Sequence, residues 1–260
     1  MNIIDLNNPM NTCPEILQDF EPITLEEMDA VKLMNRIDTK YVFNAGKLSA
    51  ILETIKKEYR VLEVNGVRST HYETLYFDLE NHGLYLQHHN GKANRVKIRC
   101  RRYVDSDLSF FEIKIKNNKG RTVKERIKRK GICEDILGKS EELLRMTTGI
   151  SSGLLDPSLW VYFTRTTFVN IDLTERMTID TGLHFKKGES EVAYPGLVIA
   201  ELKQEKSGKS FFQSLMRQNH ISDFSISKYC LGVITMNKEI KQNNFKSKLL
   251  QIKKIAHATN

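Results

Sequence analysis

Apolar and polar residues recur at helical spacing in some stretches of the chain and alternate strictly in others. Leu48, Ile51, Leu52 and Ile55 fall on one face of a helix predicted over 47–58. Thr24 with Glu27 reads as a capping box opening a short helix with Leu25, Met28, Val31 and Leu33 along it. Alternation predicts strands at about 36–43, 59–65, 70–78, 94–104, 109–117 and 121–129. A polar turn from Asn117 to Gly120 joins the last two as a hairpin. A helix at 134–148 comes next, then strands at 159–170, 175–181, 183–187 and 196–205, and helices at 209–219, 226–237 and 239–255. Strands bracketed by helices predict an α+β fold. Residues 1–22, with Pro14 and Pro22, read as a loose lead-in, 23–238 as one domain and 239–260 as a basic C-terminal helix or tail.

The alternating stretches carry charge at every second position. The rows are Arg36, Asp38, Lys40; Arg95, Lys97, Arg99, Arg101; Glu112, Lys114, Lys116; Lys124, Arg126, Lys128; and Glu201, Lys203, Glu205. Between them lie Ile98, Ile113, Ile115, Ala200 and Leu202. An antiparallel sheet with one solvated face produces this alternation. Such a face mixes signs, however, and these rows are mainly cationic and rich in Arg. The other solution is a closed antiparallel β-barrel, with its apolar face covered by helices and its charges lining the lumen. Like charges ~4 Å apart repel by roughly 4 kcal/mol at an effective dielectric of ~20, so an empty lumen is costly and a polyanion relieves it. Arg suits phosphate because its planar fork engages two oxygens at once. The few carboxylates would hold Mg²⁺ or Mn²⁺ against the phosphates.

Charge agrees with this chemistry without selecting it. Lys and Arg number 40 against 32 Asp and Glu in 260 residues, a net charge of +8. That favours nucleotides, polyphosphate, nucleic acid or anionic lipid as partners. Cys13, Cys100, Cys133 and Cys230 are too scattered for a zinc site or a disulfide framework. The opening MNIIDLNNPM lacks the features of a signal peptide, and no run approaches the ~20 apolar residues of a membrane span, so a cytoplasmic location is expected. His88 and His89 follow a short helical segment at 81–87 and are expected at the surface. The basic, mildly amphipathic segment KEIKQNNFKSKLLQIKKIAH is expected to form a surface helix, with membrane-surface or partner docking as the other reading.

Nine segments in order resemble the VTC domain, the catalytic domain of the vacuolar transporter chaperone family and one of the triphosphate tunnel metalloenzymes. They are RIDTKY (36–41), TLYFD (74–78), KIRCRRY (97–103), FFEIKIK (110–116), VKERI (123–127), YFTRTTF (162–168), ERMTID (175–180), VIAELK (198–203) and SKYCLG (227–232). The resemblance implies a tunnel barrel and a metal-bound triphosphate, and it implies transfer of the terminal phosphate of ATP to a growing polyphosphate chain. By motif it implies catalytic roles for Arg99, Arg101, Arg165 and Arg176. It implies phosphate contacts for Lys40, Lys114, Lys124, Arg126, Lys203 and Lys228, and a metal ligand in Glu201. Glu112 is a second metal candidate or an ion-pair partner of Lys114 or Lys124. Ser225 replaces a Lys common in the family, and Arg102 replaces an aromatic residue that often follows the R-x-R pair. The first strand also lacks the E-x-E-x-K pattern of the tunnel enzymes that act as adenylate cyclases or thiamine triphosphatases. A triphosphatase on the same tunnel and a non-catalytic polyphosphate- or RNA-binding module remain alternatives. Nucleic acid is the less expected partner, because Phe77, Phe110 and Phe111 read as core or barrel-wall positions rather than stacking platforms. Coupling to transport, as in the family, would run through a separate membrane protein.

Overall fold

The computed structural model describes residues 14–29, 36–118, 121–132, 134–205 and 209–258. Val31, Leu33, Gly120, Cys13 and Cys133 lie outside them, as does the side chain of Arg36. In chain order the elements are α1 (Pro14–Gln18), β1 (Pro22–Ile23), α2 (Leu25–Asp29), β2 (Arg36–Asn44), α3 (Leu48–Ile55), β3 (Tyr59–Leu62) and β4 (Ser69–Leu79). Next come α4 (Gly83–His89), β5 (Arg95–Tyr103), β6 (Leu108–Lys116), β7 (Thr122–Arg129), α5 (Lys139–Thr148) and β8 (Leu155–Asn170). The chain continues through β9 (Glu175–Lys187), β10 (Ser190–Tyr194), β11 (Leu197–Glu205), α6 (Phe211–Gln218), α7 (Lys228–Met236) and α8 (Lys246–Ala256). The mixed α+β class is as expected.

The strands form one sheet in the order β2-β11-β9-β8-β4-β5-β6-β7, antiparallel throughout this path. Among the described residues β2 and β7 end the strand order and do not pair with each other, the outer edge of β2 meeting only the loop at Asp223 and Phe224, so hydrogen bonds do not close the sheet. The expected closed barrel is therefore not confirmed. The sheet nevertheless curls, because Lys40 of β2, Lys114 and Lys116 of β6 and Thr122 of β7 line one cavity. Closure depends on the last turn of curvature and on the edge strands, which charge alternation does not encode.

Helices cover the convex face. Leu48, Ile51, Leu52 and Ile55 of α3 and Phe212, Leu215 and Met216 of α6 pack on Tyr41, Phe43, Met177, Ile179, Val198, Ala200 and Leu202. Leu144 of α5 packs on Phe77, Ile98, Phe111 and Ile113. Leu17 and Phe20, at and just after α1, join the first of these clusters, so the end of the expected loose lead-in is held in the core. Thr24 and Glu27 make the predicted capping box, with Thr24 N donating to Glu27 Oε2 at 2.8 Å and Glu27 N to Thr24 Oγ1 at 3.2 Å.

Helix α7 is buried nearly all round and fills one end of the concave side. Asp78, at the end of β4, accepts from the backbone N–H groups of Leu84 (2.6 Å) and Tyr85 (3.0 Å), and from the hydroxyl of Tyr229. This ties the start of α4 to α7. Gly232 lets α7 approach the sheet: a Cβ there would lie 2.3 Å from Leu159 Cδ2 and 2.6 Å from Phe185 Cδ1. Gly232→Ala is expected to cost about 1–3 kcal/mol by overpacking, a fall of roughly 3–8 °C in melting temperature. A thermal scan checks this, and an unchanged midpoint would mean that α7 can shift freely.

Four sequence expectations in these regions differ from the structure. The strands expected at 175–181 and 183–187 are one strand, β9, which crosses Gly182 at φ +61°. β10 was not expected. It pairs with β9 across Gly188 at φ +56° and is too short for alternation to announce it. The last helix starts at Lys246 rather than 239, after a single 3-10 turn over Asn243–Phe245. That turn carries Phe245 onto His89, 5.5 Å between ring centroids, and His89 Nε2 accepts from Asn244 N at 3.3 Å. His89 is thus buried and His88 half-buried, contrary to the expected exposure.

Candidate functional site

Register sets the charged rows side by side on the concave face. Lys40 lies opposite Glu201 and Asp38 opposite Lys203; Glu201 lies opposite Thr178 and Lys203 opposite Arg176. Arg165 faces Asp180 across β8 and β9. On the other arm of the sheet Thr74 pairs with Arg101 and Tyr76 with Arg99. Arg99 pairs with Glu112 and Lys97 with Lys114, and β7 then sets Arg126 opposite Glu112 and Lys124 opposite Lys114. Residues spaced by two share a face, so the sequence-predicted set is gathered on one surface. Lys228 joins it from α7.

Three carboxylates on this surface are each gripped by two cations. Glu201 accepts from Lys40 Nζ at 2.5 Å and from Lys203 Nζ at 3.3 Å. Glu112, buried, accepts from Arg99 Nε at 2.7 Å and pairs with Lys124. Asp180, also buried, takes a two-pronged grip from Arg165 (Nε to Oδ1 2.6 Å, Nη2 to Oδ2 2.8 Å) and a further bond from Lys228 Nζ. Arg101 is buried with Thr74 Oγ1, at 3.3 Å, as its one hydrogen-bond partner among the described residues. Its guanidinium sits 5.2 Å from the ring centroid of Tyr72, as does that of Arg165. Lys228 Nζ stands 4.5 Å from the Phe163 ring, which stacks on Tyr72. The aromatic pair supports all three cations by cation–π contact, and for Arg101 it does so without an ion-paired carboxylate. Lys114 has no hydrogen-bond or ion-pair partner among the described residues, and Arg126 rests on Phe110, 4.8 Å from its centroid.

Burial alone would raise the carboxylate pKa values, but the cations reverse it. Arg99, Arg101 and Lys124 bring Glu112 down to about 2, and Arg165 with Lys228 brings Asp180 to about 2. Lys203 and Lys40 hold Glu201 well below the usual range. The ammonium groups shift the other way. Partial desolvation, then repulsion from Lys97 and Arg99, lowers Lys114; desolvation and Arg165 lower Lys228 despite Asp180. Carboxylates depressed in the folded state stabilise it fully above their unfolded values, near 4–4.5, and lose that contribution as pH falls towards 2. Stability measured by denaturant titration is therefore expected to fall by several kcal/mol between about pH 4.5 and 2. A flat profile through that window would contradict the pairing.

The VTC domain family matches residues 35–237, well over half of the chain. The chain belongs to the VTC domain family. No curated protein sequence matches it. Among solved structures, a presumed adenylyl cyclase from Hippeastrum, described as having a dominant triphosphatase activity, aligns at TM-score 0.51 and 10% identity over 78% of this chain and 96% of its own. A presumed adenylate cyclase from Vibrio parahaemolyticus aligns at TM-score 0.44 and 13% identity over 76% of this chain and 99% of its own. The alignment with the Hippeastrum protein shows a shared fold. No helix among the described residues is long and apolar enough to cross a membrane.

A divalent cation fits the VTC site in one way. The described residues hold no cluster of three or more Asp, Glu, His or Cys side chains. Mg²⁺ and Mn²⁺ in phosphate sites need only one or two carboxylates, because substrate phosphates and waters complete the shell. Glu201 supplies such a carboxylate, and Thr178 Oγ1 opposite it is buried with no hydrogen-bond partner among the described residues. Glu112 is clasped by Arg99 and Lys124 and is the less open of the two metal candidates. Asp180, Lys97, Tyr72 and Phe163 were not singled out as site residues from the sequence. Asp180 was signalled, since it ends the Arg176, Thr178, Asp180 row.

Proposed function

We propose that this VTC domain binds a triphosphate along the concave face and transfers a phosphoryl group from ATP to a phosphate chain. The observation that carries this reading is the state of the carboxylates. Each of the three gripped by cations is held ionised and strongly acidic, which makes it a poor general base. Water as nucleophile gains from a base or a group that positions it, whereas a terminal phosphate is already ionised and needs no deprotonation. Phosphoryl transfer then depends on positioning and charge neutralisation.

The roles divide by what each side chain touches. Arg165 and Arg99 are oriented by Asp180 and Glu112, so their remaining N–H groups are fixed before the substrate arrives. Arg101, supported by aromatic rings rather than a carboxylate, keeps an uncompensated charge for the phosphates. Lys114 acts as a mobile cation along the chain, Lys124 reaches the phosphates by turning from Glu112, and Arg126 and Arg176 flank them. Lys40, Lys203 and Lys228 turn from their carboxylates to phosphate oxygens on binding. Glu201, with phosphate oxygens, would hold Mg²⁺ or Mn²⁺, which neutralises charge on the transferring group.

The test is incubation of the protein with ATP and Mn²⁺, products being resolved by gel and phosphorus NMR beside an Arg99→Ala control. Long polyphosphate, absent from the control, is expected. Free phosphate alone would move the assignment to a triphosphatase. Stabilisation by tripolyphosphate without turnover would make the protein a binding module.

A further inference from the structure

Four exposed apolar side chains gather at one end of the sheet. Ile171 (57% exposed) and Leu173 (39%) form the tip of the β8–β9 hairpin, while Leu25 (50%) and Phe211 (41%) open α2 and α6. Core contacts bring these elements together. Met28 of α2 packs on Val169, near the end of β8, and Arg60, opposite Val169, reaches Glu27 at 3.1 Å. Ser210, the N-cap of α6, hydrogen-bonds Glu175, two residues beyond Leu173. The tip is pinned in place. Ile171 N donates to Glu58 O at 3.0 Å, and Asn170 Oδ1 accepts from Thr174 N (2.9 Å) and Glu175 N (2.8 Å). Leu173 is kept at φ +56°, a costly conformation for a branched apolar residue. The exposed charge around this corner is net acidic, Glu21, Glu26, Glu58 and Asp172 against Lys57 and Lys209, in a chain whose net charge is +8.

The opposite end of the sheet carries the complement. Helix α8 is seated there. Ile252 is fully buried, and Asn44 Nδ2 donates to the carbonyls of Ile255 (2.8 Å) and Ala258 (3.1 Å). Gly196 lies so close that a Cβ would stand 2.3 Å from Ala256 O. Leu197 pairs with Asn44 at this end of β11, and Gln204 pairs with Glu175 at the other. The two ends therefore stand roughly 20–25 Å apart along the strand. With Ile252 turned inward, α8 presents Leu250, 60% exposed, on its outer face. Exposed Lys246, Lys253 and Lys254 surround it at i−4, i+3 and i+4, and α8 has no acidic residue.

We propose that the outer face of α8 docks on the acid-bordered apolar corner of a second copy of this chain, joining protomers head to tail. Leu250 supplies the apolar contact and the three lysines face the carboxylates. Charge selects this occupant. The acidic border repels an anionic membrane, and corner against corner or α8 against α8 would oppose like charges. A contact between different surfaces at opposite ends repeats from copy to copy, so growth continues past a dimer until a ring closes. Both surfaces are small, so the contact is weak and screened by salt. Neither surface belongs to the concave face, so the inference is independent of what that face binds.

Sedimentation velocity of the full chain over about 10–500 µM, a range that brackets weak contacts, tests the assembly. The weight-average mass is expected to rise with concentration past that of a dimer, and to fall in about 0.5 M salt. Glu26→Lys/Asp172→Lys and Lys253→Glu/Lys254→Glu are each expected to weaken association by at least about tenfold. Mixed one to one, they are expected to recover it, because the reversed corner of one then meets the reversed helix of the other. Ile171→Ser and Leu250→Ser, which leave the charges in place, are also expected to weaken it. Thermal melts check that each variant is folded. A monomer at every concentration would overturn the proposal. So would a mass that levels at a dimer, or a mixture that associates no better than its parts. Binding of the unaltered protein to anionic vesicles without self-association would give the α8 face to a membrane instead.

Discussion

Arg165→Ala is expected to lower ATP turnover by about 10³-fold or more, the scale of removing a transition-state arginine in phosphoryl transfer. It is also expected to lower stability by about 3 kcal/mol. Both effects follow from one geometry. Arg165 holds Asp180 through two parallel hydrogen bonds while its guanidinium lies against Tyr72 and Phe163. Deleting it leaves Asp180, 2% exposed, with Lys228 as its remaining ion-pair partner among the described residues. Breaking a buried pair from one side strands a charge, which is why the fold suffers along with the chemistry. The double variant Arg165→Ala/Asp180→Ala separates the two. It is expected to regain much of the lost stability, because no carboxylate is stranded, and none of the turnover. Thermal melts and product gels on both variants check this. A folded Arg165→Ala protein with full turnover would refute the concave-face assignment.

The charged surface was legible because strand alternation is local. Arg99, Arg101, Lys114 and Lys124 reach one face for the same reason that Ile98, Ile113 and Ile115 reach the other, and two-residue periodicity needs no knowledge of the partners. Pairing across the sheet is a different matter. Arg165 and Asp180 are 15 residues apart in sequence, and Lys40 and Glu201 are 161 apart. Only register brings them together. The same limit explains the closed barrel that was expected and not confirmed. Alternation says that a charged face exists, but whether the end strands β2 and β7 meet, and the depth of the curl, arise from the assembled sheet. The role of α8 was obscured in another way. Its apolar residues are sparse and its basic residues plentiful, so it read as a surface helix. Its seat depends instead on Gly196 and Asn44, far from it in sequence, which permit and bind its close approach.

Glu201→Gln is expected to lower metal-dependent turnover by roughly 10²–10³-fold, the scale of removing one preorganised charge from the transition state. It is also expected to strengthen the binding of tripolyphosphate in the absence of metal. The opposite signs distinguish this prediction from a general loss of structure. In the apo site Glu201 occupies two lysines, Lys40 and Lys203, that the phosphates need. Its removal frees both ammonium groups and adds net positive charge to the groove, so a bare polyanion gains. A metal–triphosphate complex loses the protein carboxylate that anchors its cation. The same reasoning says that Mn²⁺ alone binds the unaltered protein weakly, since it must displace two ammonium groups from a single carboxylate, and that tripolyphosphate raises its affinity. Calorimetry with Mn²⁺, tripolyphosphate and both together, on the unaltered protein and Glu201→Gln, measures each arm. Equal metal-supported binding in the two proteins would show that the cation is held elsewhere. Weaker metal-free binding in the variant would show that Glu201 orders the lysines for phosphate rather than competing for them.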